Sequence, residues 1–172
     1  AQLSGTLAEA ARAWREVAEG RRHAGDLRAA AFVERKLANA AELQGHWEAA
    51  LAAHEAAADS FAAGGLLAEC AAEHLAAAAH LRSAGRYRAA LDLLDRAREE
   101  ALRAERPDLQ ARILGLSGNV RARMGQTEEG LALVREGLAL ALEKNLAGAA
   151  AEVYQRLAEA WEHAGEYGAA KE

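Results

Sequence analysis

Cys70 and His74 stand one helical turn apart, and counting outward from Gly64-Gly65 puts His54 level with His74 on the preceding helix. A thiol and two imidazoles offer sulfur and nitrogen ligands of the kind a zinc ion takes. No fourth ligand is evident, and the same spacing suits a partly buried polar cluster between helices, so packing is the expected role and no metal is assigned. Other reaction machinery is missing. Lys36, Lys144 and Lys171 are followed by Leu, Asn and Glu, which rules out a phosphate-binding P-loop. Gly115-Leu116-Ser117-Gly118 lacks the glycine two residues past the serine that a nucleophile elbow needs. No H-E-x-x-H occurs, and no histidine has a glutamate three residues before it. The chain is therefore expected not to be an enzyme, with no catalytic residue and no cofactor.

The elements that would position these residues are helices. The 172 residues are 52% hydrophobic, but much of that is alanine, with two Phe, three Tyr and three Trp, so close helix-on-helix packing is favoured over a core of large side chains. The only proline is Pro107. One cysteine excludes an intramolecular disulfide and points to a reducing compartment. No leader and no long uncharged apolar run is present, so the expected location is cytoplasmic and no membrane contact is expected. Arginine outnumbers lysine 18 to 3, which with the alanine excess points to a GC-rich bacterial source. The first residue is not Met, and the last residues follow a helix-starting signal, so a piece of a longer protein is expected.

The net charge of −5 is uneven, with residues 82–123 carrying ten basic and six acidic groups between two acidic ends. Solvated helix faces account for most such blocks. A basic waist also suits an acidic peptide or a second copy of the chain. Direct binding of nucleic acid is not expected from an acidic chain without an aromatic-interleaved basic run.

Self-similarity carries the architecture. Gly45, Gly85, Gly125 and Gly165 are spaced by 40, and the same shift aligns Ala38, Ala78, Gly118 and Ala158, then Ala50, Ala90, Gly130 and Ala170, then Ala57, Ala97 and Gly137. Three slots per repeat are always tiny, which lets paired helices approach closely, while Leu37, Leu81, Leu94, Val134, Leu157 and Trp161 fill the grooves. The spaced glycines end helices, and Trp47, Tyr87 and Tyr167 open the next ones. Helices are expected over 6–24, 27–44, 47–63, 66–84, 87–105, 108–124, 127–144 and 147–164, with a short ninth from 166. A capping box at Thr6 and Glu9, a cap at Thr127 and breaks at Gly64-Gly65 and Pro107-Asp108 mark the ends. Short connections make consecutive helices antiparallel neighbours. Repeat three carries Gly115, Gly118, Gly130 and Gly137, read either as closer helix contact or as a soft segment.

The glycine-polar-aromatic turn, the alanine pairs and the three small slots together resemble the tetratricopeptide repeat over about residues 28–172. The resemblance implies an all-α, right-handed superhelical solenoid of stacked hairpins that serves protein interaction. It divides one domain, 1–172, into an extra N-terminal helix at 6–27 and repeats at 28–67, 68–107, 108–147 and 148–172. The period of 40 exceeds the family's usual 34 or so, and Thr127 stands where sibling repeats carry an aromatic. Elongated repeats of this kind look like the sensor arms of maltose-activator-type bacterial regulators. The competing solenoid, HEAT or armadillo, has the period but does not require the glycine-aromatic turn. Trp14, Ala18, Gly25, Leu27 and Ala30 also repeat the motif only 20 residues before Gly45.

In the family, the first helix of each pair lines a concave groove. Helical spacing then gives Phe32, Arg35, Asn39 and Glu42 as contact residues, about 130° from the core face of Glu34, Leu37, Ala38 and Ala41. Later repeats give Leu75, Ala79 and Arg82, then Arg112, Asn119 and Arg123, then Glu152, Gln155, Glu159 and Glu162. Relatives that grip a C-terminal carboxylate use basic and asparagine side chains here, and Arg35, Asn39 and Arg112 match while Ala76 and Leu116 depart. The resemblance thus implies an interaction or sensor module of a larger regulator, holding a protein, a peptide or an inducer. A stand-alone scaffold or co-chaperone-like adaptor is the alternative, a helical metal-dependent enzyme the remote one, and self-association is compatible with either of the first two.

Overall fold

The structure, a computed structural model, describes residues 2–169. It contains eight helices and, among the described residues, no strand: α1 (Gln2–His23), α2 (Leu27–Leu43), α3 (Trp47–Ala63), α4 (Leu67–Ser83), α5 (Tyr87–Arg103), α6 (Pro107–Arg123), α7 (Thr127–Glu143) and α8 (Ala147–Ala169). Successive helices pack on one another as antiparallel hairpins, α2 with α3, α4 with α5 and α6 with α7. α1 covers α2, and α8 closes over α6 and α7, so the molecule is an all-α solenoid of stacked hairpins.

The turns explain the regularity. From Leu27 onward helices start every 20 residues, at positions 27, 47, 67, 87, 107, 127 and 147. Each connection places one residue in the left-handed region: Gly25, Gly45, Gly65, Gly85, Glu105, Gly125 and Asn145, with φ from 52° to 86°. The next amide then reaches back to a carbonyl five residues earlier, as His46 N–H does to Ala41 O at 2.8 Å and Arg86 N–H to Leu81 O at 2.9 Å. That bond satisfies a carbonyl the helix end would leave bare. The forty-residue glycine spacing is therefore every second turn of a twenty-residue unit. The early recurrence around Gly25 belongs to the same series, and Glu105 and Asn145 hide two of its members by not being glycine.

Three expected boundaries are corrected. α1 already begins at Gln2, so Thr6 lies inside it rather than capping it. The cap of α7 is Gln126, without a side-chain bond, and Thr127 is the first helical residue. Helix starts here follow the backbone of the preceding turn. Asp26 is the one cap from α2 to α7 whose side chain contributes, accepting from Ala29 N–H at 3.2 Å. The break at Gly165 and the ninth helix do not form, because α8 runs on to Ala169. Gly165 is helical and is not among the glycines with positive φ, so the backbone hydrogen bonds of α8 continue through it.

The tiny slots are where the helices meet. Ala38, Ala50, Ala57, Ala78, Ala90 and Ala97 are all fully buried, and Gly118, Gly130 and Gly137 are buried too. A β-carbon on Gly118 would lie 2.3 Å from the Gly130 carbonyl oxygen, and one on Gly137 2.6 Å from the Ala111 carbonyl oxygen. Gly118, Gly130 and Gly137 thus serve close backbone contact between α6 and α7, while Gly115 faces the Val153 side chain of α8. Ala158 is exposed on a face of α8 that no other described helix covers, and Ala170 lies outside the described residues. Leu81, Leu94, Val134 and Leu157 fill the expected grooves, whereas Leu37 is half-buried and Trp161 is 52% exposed on the uncovered side of α8.

Candidate functional site

The first helices of the pairs, α2, α4 and α6, together with α8, carry the positions singled out for contact. Four of them converge. Leu75 and Ala79 of α4, Arg112 of α6 and Glu152 of α8 line one cleft of about 120 Å³, with Leu116 and Val153 on its floor and Arg156 at its rim. Small residues on α4 make the hollow, since Ala72, Ala76 and Ala79 present only methyl groups where longer side chains would close it. Arg112 Nε donates to Glu152 Oε2 at 2.7 Å, so the cleft carries a charged pair that an incoming carboxylate or guanidinium must displace.

Next to the cleft the remaining positions hold one another. Arg82 Nη1 donates to Asn119 Oδ1 at 3.1 Å and to Glu159 Oε2 at 2.9 Å, and Asn119 Nδ2 donates to the same Glu159 oxygen at 3.2 Å. Arg123 reaches Asn119 Oδ1 at 3.4 Å, while Gln155 and Arg156 both bond Glu159 Oε1. Asn119 is fully buried, which makes it an interior joint between α4, α6 and α8 rather than an open surface. Leu75 is also buried, at 7% exposure, and contributes to the cleft floor. Burial works against the Glu159 charge, but the Arg156 and Arg82 guanidiniums outweigh it and hold its carboxyl below the ordinary range. Glu162 is exposed on α8.

At the other end of the stack, Phe32 is 39% exposed and meets Phe61 edge-on at 5.2 Å between ring centres. Arg35 lies over the Phe61 ring at 4.6 Å and pairs with Glu73 of α4. Asn39 is open to solvent. Glu42 faces inward across the stack: its Oε1 accepts from His54 Nε2 of α3 at 2.9 Å and from His80 Nε2 of α4 at 2.5 Å. His54 Nδ1 donates in turn to Glu73 Oε2 at 2.7 Å. Both nitrogens of His54 thus face carboxylates, which favours the doubly protonated ring. Burial pushes its pKa down, yet the hydrogen bonds and charges of Glu73 and Glu42 prevail and raise it. Glu42 is lowered by the same partnership against its own burial.

The sequence-derived trio of Cys70, His74 and His54 is not gathered. His54 joins Glu42, Glu73 and His80, whereas Cys70 and His74 turn to α5, where Glu100 Oε1 accepts from the thiol at 3.1 Å and Oε2 from His74 Nδ1 at 2.9 Å. Level along the axis is not the same as facing. Adjacent residues of a helix point about 100° apart, so it is Glu73 that meets His54 while His74 points elsewhere. Burial, then the Glu100 carboxylate, push the Cys70 thiol well above its ordinary pKa, so it is a packed donor and not a thiolate.

Sequence reasoning missed Glu73, His80 and Glu100. A signal for the first two existed: Arg35 and Glu73, and likewise Glu42 and His80, are 38 residues apart, close to the 40 that separates Arg112 from Glu152 and Asn119 from Glu159. Complementary groups one repeat apart face each other across stacked first helices. No protein-family model matches the chain, and no curated protein matches it. No helix among the described residues is long and apolar enough to cross a membrane.

Proposed function

We propose that the chain is a tetratricopeptide-type interaction or sensor module within a larger cytoplasmic bacterial regulator, and that it works by holding a peptide, a partner domain or an inducer on the face of α2, α4, α6 and α8. The observation that supports this reading most directly is the cleft in which Leu75, Ala79, Arg112 and Glu152, the groove positions that the family resemblance and helical spacing imply, come together across three helices. Stacked helix pairs characteristically offer such an extended inner surface. The cleft is narrow and floored by methyl and leucine side chains, with charge confined to its rim, which suits an extended segment carrying small apolar residues and a flanking charge.

A peptide library displayed against the purified chain tests this. Selected peptides should lose binding to Ala79→Trp, which fills the hollow, and keep it with Leu102→Arg, a change at an exposed leucine of α5. Peptides indifferent to Ala79→Trp, or lost with Leu102→Arg alone, would place binding elsewhere and remove the proposal.

A further inference from the structure

Two imidazole nitrogens, from different helices, aim at one carboxylate oxygen. Nε2 of His54 and Nε2 of His80 stand 2.9 Å and 2.5 Å from Glu42 Oε1, and the three ligand atoms all lie within 4.8 Å of one another. We propose that Glu42, His54 and His80 form a binding site for a divalent transition-metal ion of the zinc class.

The donor set is the first argument. Two histidines and one glutamate complete the three protein ligands of an open zinc site, with the fourth position left to water or a ligand. Imidazole with carboxylate favours zinc and its neighbours over calcium or magnesium, which prefer all-oxygen shells. Spacing is the second. Ligand atoms at tetrahedral corners around an ion with bonds of about 2.0–2.1 Å lie about 3.3 Å apart, so the two imidazole–carboxylate separations, 2.9 Å and 2.5 Å, each need to open by less than about 1 Å. Glu42 and His80 sit on separate helices and keep side-chain exposures of 32% and 17%, which leaves them room to turn and leaves an entry path from solvent.

The third argument is what stands behind the ligands. Glu73 Oε2, at 2.7 Å, takes the hydrogen of His54 Nδ1, so that when the ion displaces the proton that Nε2 shares with Glu42 the Nε2 lone pair is presented to the metal, the arrangement by which a carboxylate orients a metal-bound histidine. Arg35 pairs with the other oxygen of Glu73 and holds it in place. The His80 ring stacks with His54 at 5.5 Å between centres and lies tilted against Trp47 at 5.7 Å. Cys70, His74 and Glu100 also come together, but they lack this outer support and the thiol is committed to Glu100 as a donor.

Zinc and cobalt titrations of the purified chain test the site. One equivalent should bind at micromolar concentration, His80→Ala and Glu42→Gln should abolish that binding with helix content unchanged, and Glu73→Gln, which alters a positioning residue only, should weaken it by about 10–100-fold. The double variant Cys70→Ser with His74→Ala should bind as the original chain does. X-ray absorption of the zinc-loaded original chain needs no variant: nitrogen and oxygen at about 2.0–2.1 Å with an imidazole pattern supports the site, and a sulfur at about 2.3 Å overturns it. Absence of stoichiometric binding, or binding that survives His80→Ala, also overturns it.

Discussion

Gly118 and Gly130 face each other's carbonyls: a β-carbon on the first would stand 2.3 Å from the second's oxygen, and one on the second 2.5 Å from the first's. Both obstacles are backbone, so neither can swing aside. Gly118→Ala gains helix propensity yet should destabilise the chain by about 1–3 kcal/mol through overpacking. Gly20→Ala, where no other atom lies within 4 Å, should instead stabilise by about 0.5–1 kcal/mol. Urea unfolding of the two variants separates the effects by sign.

The left-handed turn residues make a second pair of comparisons. Glu105 holds φ at 52° with a full side chain, whereas Asn145 at 55° is of a type that tolerates this region. Glu105→Gly should raise stability by up to about 1 kcal/mol. Asn145→Gly should change it little, and Gly85→Ala should lower it by about 1 kcal/mol. Thermal unfolding midpoints in that order would establish that all seven turns share one backbone requirement.

Stability should fall in acid partly through Glu159. Its carboxyl is held below the ordinary value of 4.5 in the folded chain, so its contribution is complete above that value and fades as pH drops through the lower folded one. Glu159→Gln should flatten the dependence of unfolding free energy on pH in this acid range. The difference is measured by comparing denaturation curves of both chains from neutral pH downward.

Cys70 is fully buried, and its sulfur donates to Glu100. Thiol reagents should modify it slowly in the folded chain and rapidly in denaturant. Glu100→Gln removes the negative charge beside the sulfur and should lower the thiol pKa, seen as faster reaction under native conditions at alkaline pH, while burial still keeps the rate well below that of the unfolded chain.

The architecture was legible because it is written in side-chain size and turn type, both local properties. The buried alanines and Gly118, Gly130 and Gly137 occupy the slots that the forty-residue alignment chose, and most helix starts fell within one residue. The halved period stayed hidden because a glutamate and an asparagine perform the turn at 105 and 145. The site was legible only in part. Register groups residues of α4, α6 and α8 on one face, and four of the positions so grouped line the cleft. It does not say which of those side chains reach across to a neighbour, and that is what draws Asn119 into the interior and turns Glu42 toward His54 and His80. A carboxylate aimed at two rings on other helices is a long-range fact, set by the angle between helices and not by spacing along one of them.

The identical turns impose a parity on this chain. Splicing in or excising a single rod with its bend reverses the heading of everything downstream and exchanges inner wall for outer, whereas a doublet leaves each later rod facing as before. Lengthening by duplication therefore preserves a working surface only in even steps, and α1, the odd rod at the front, can be trimmed or extended without turning the rest around.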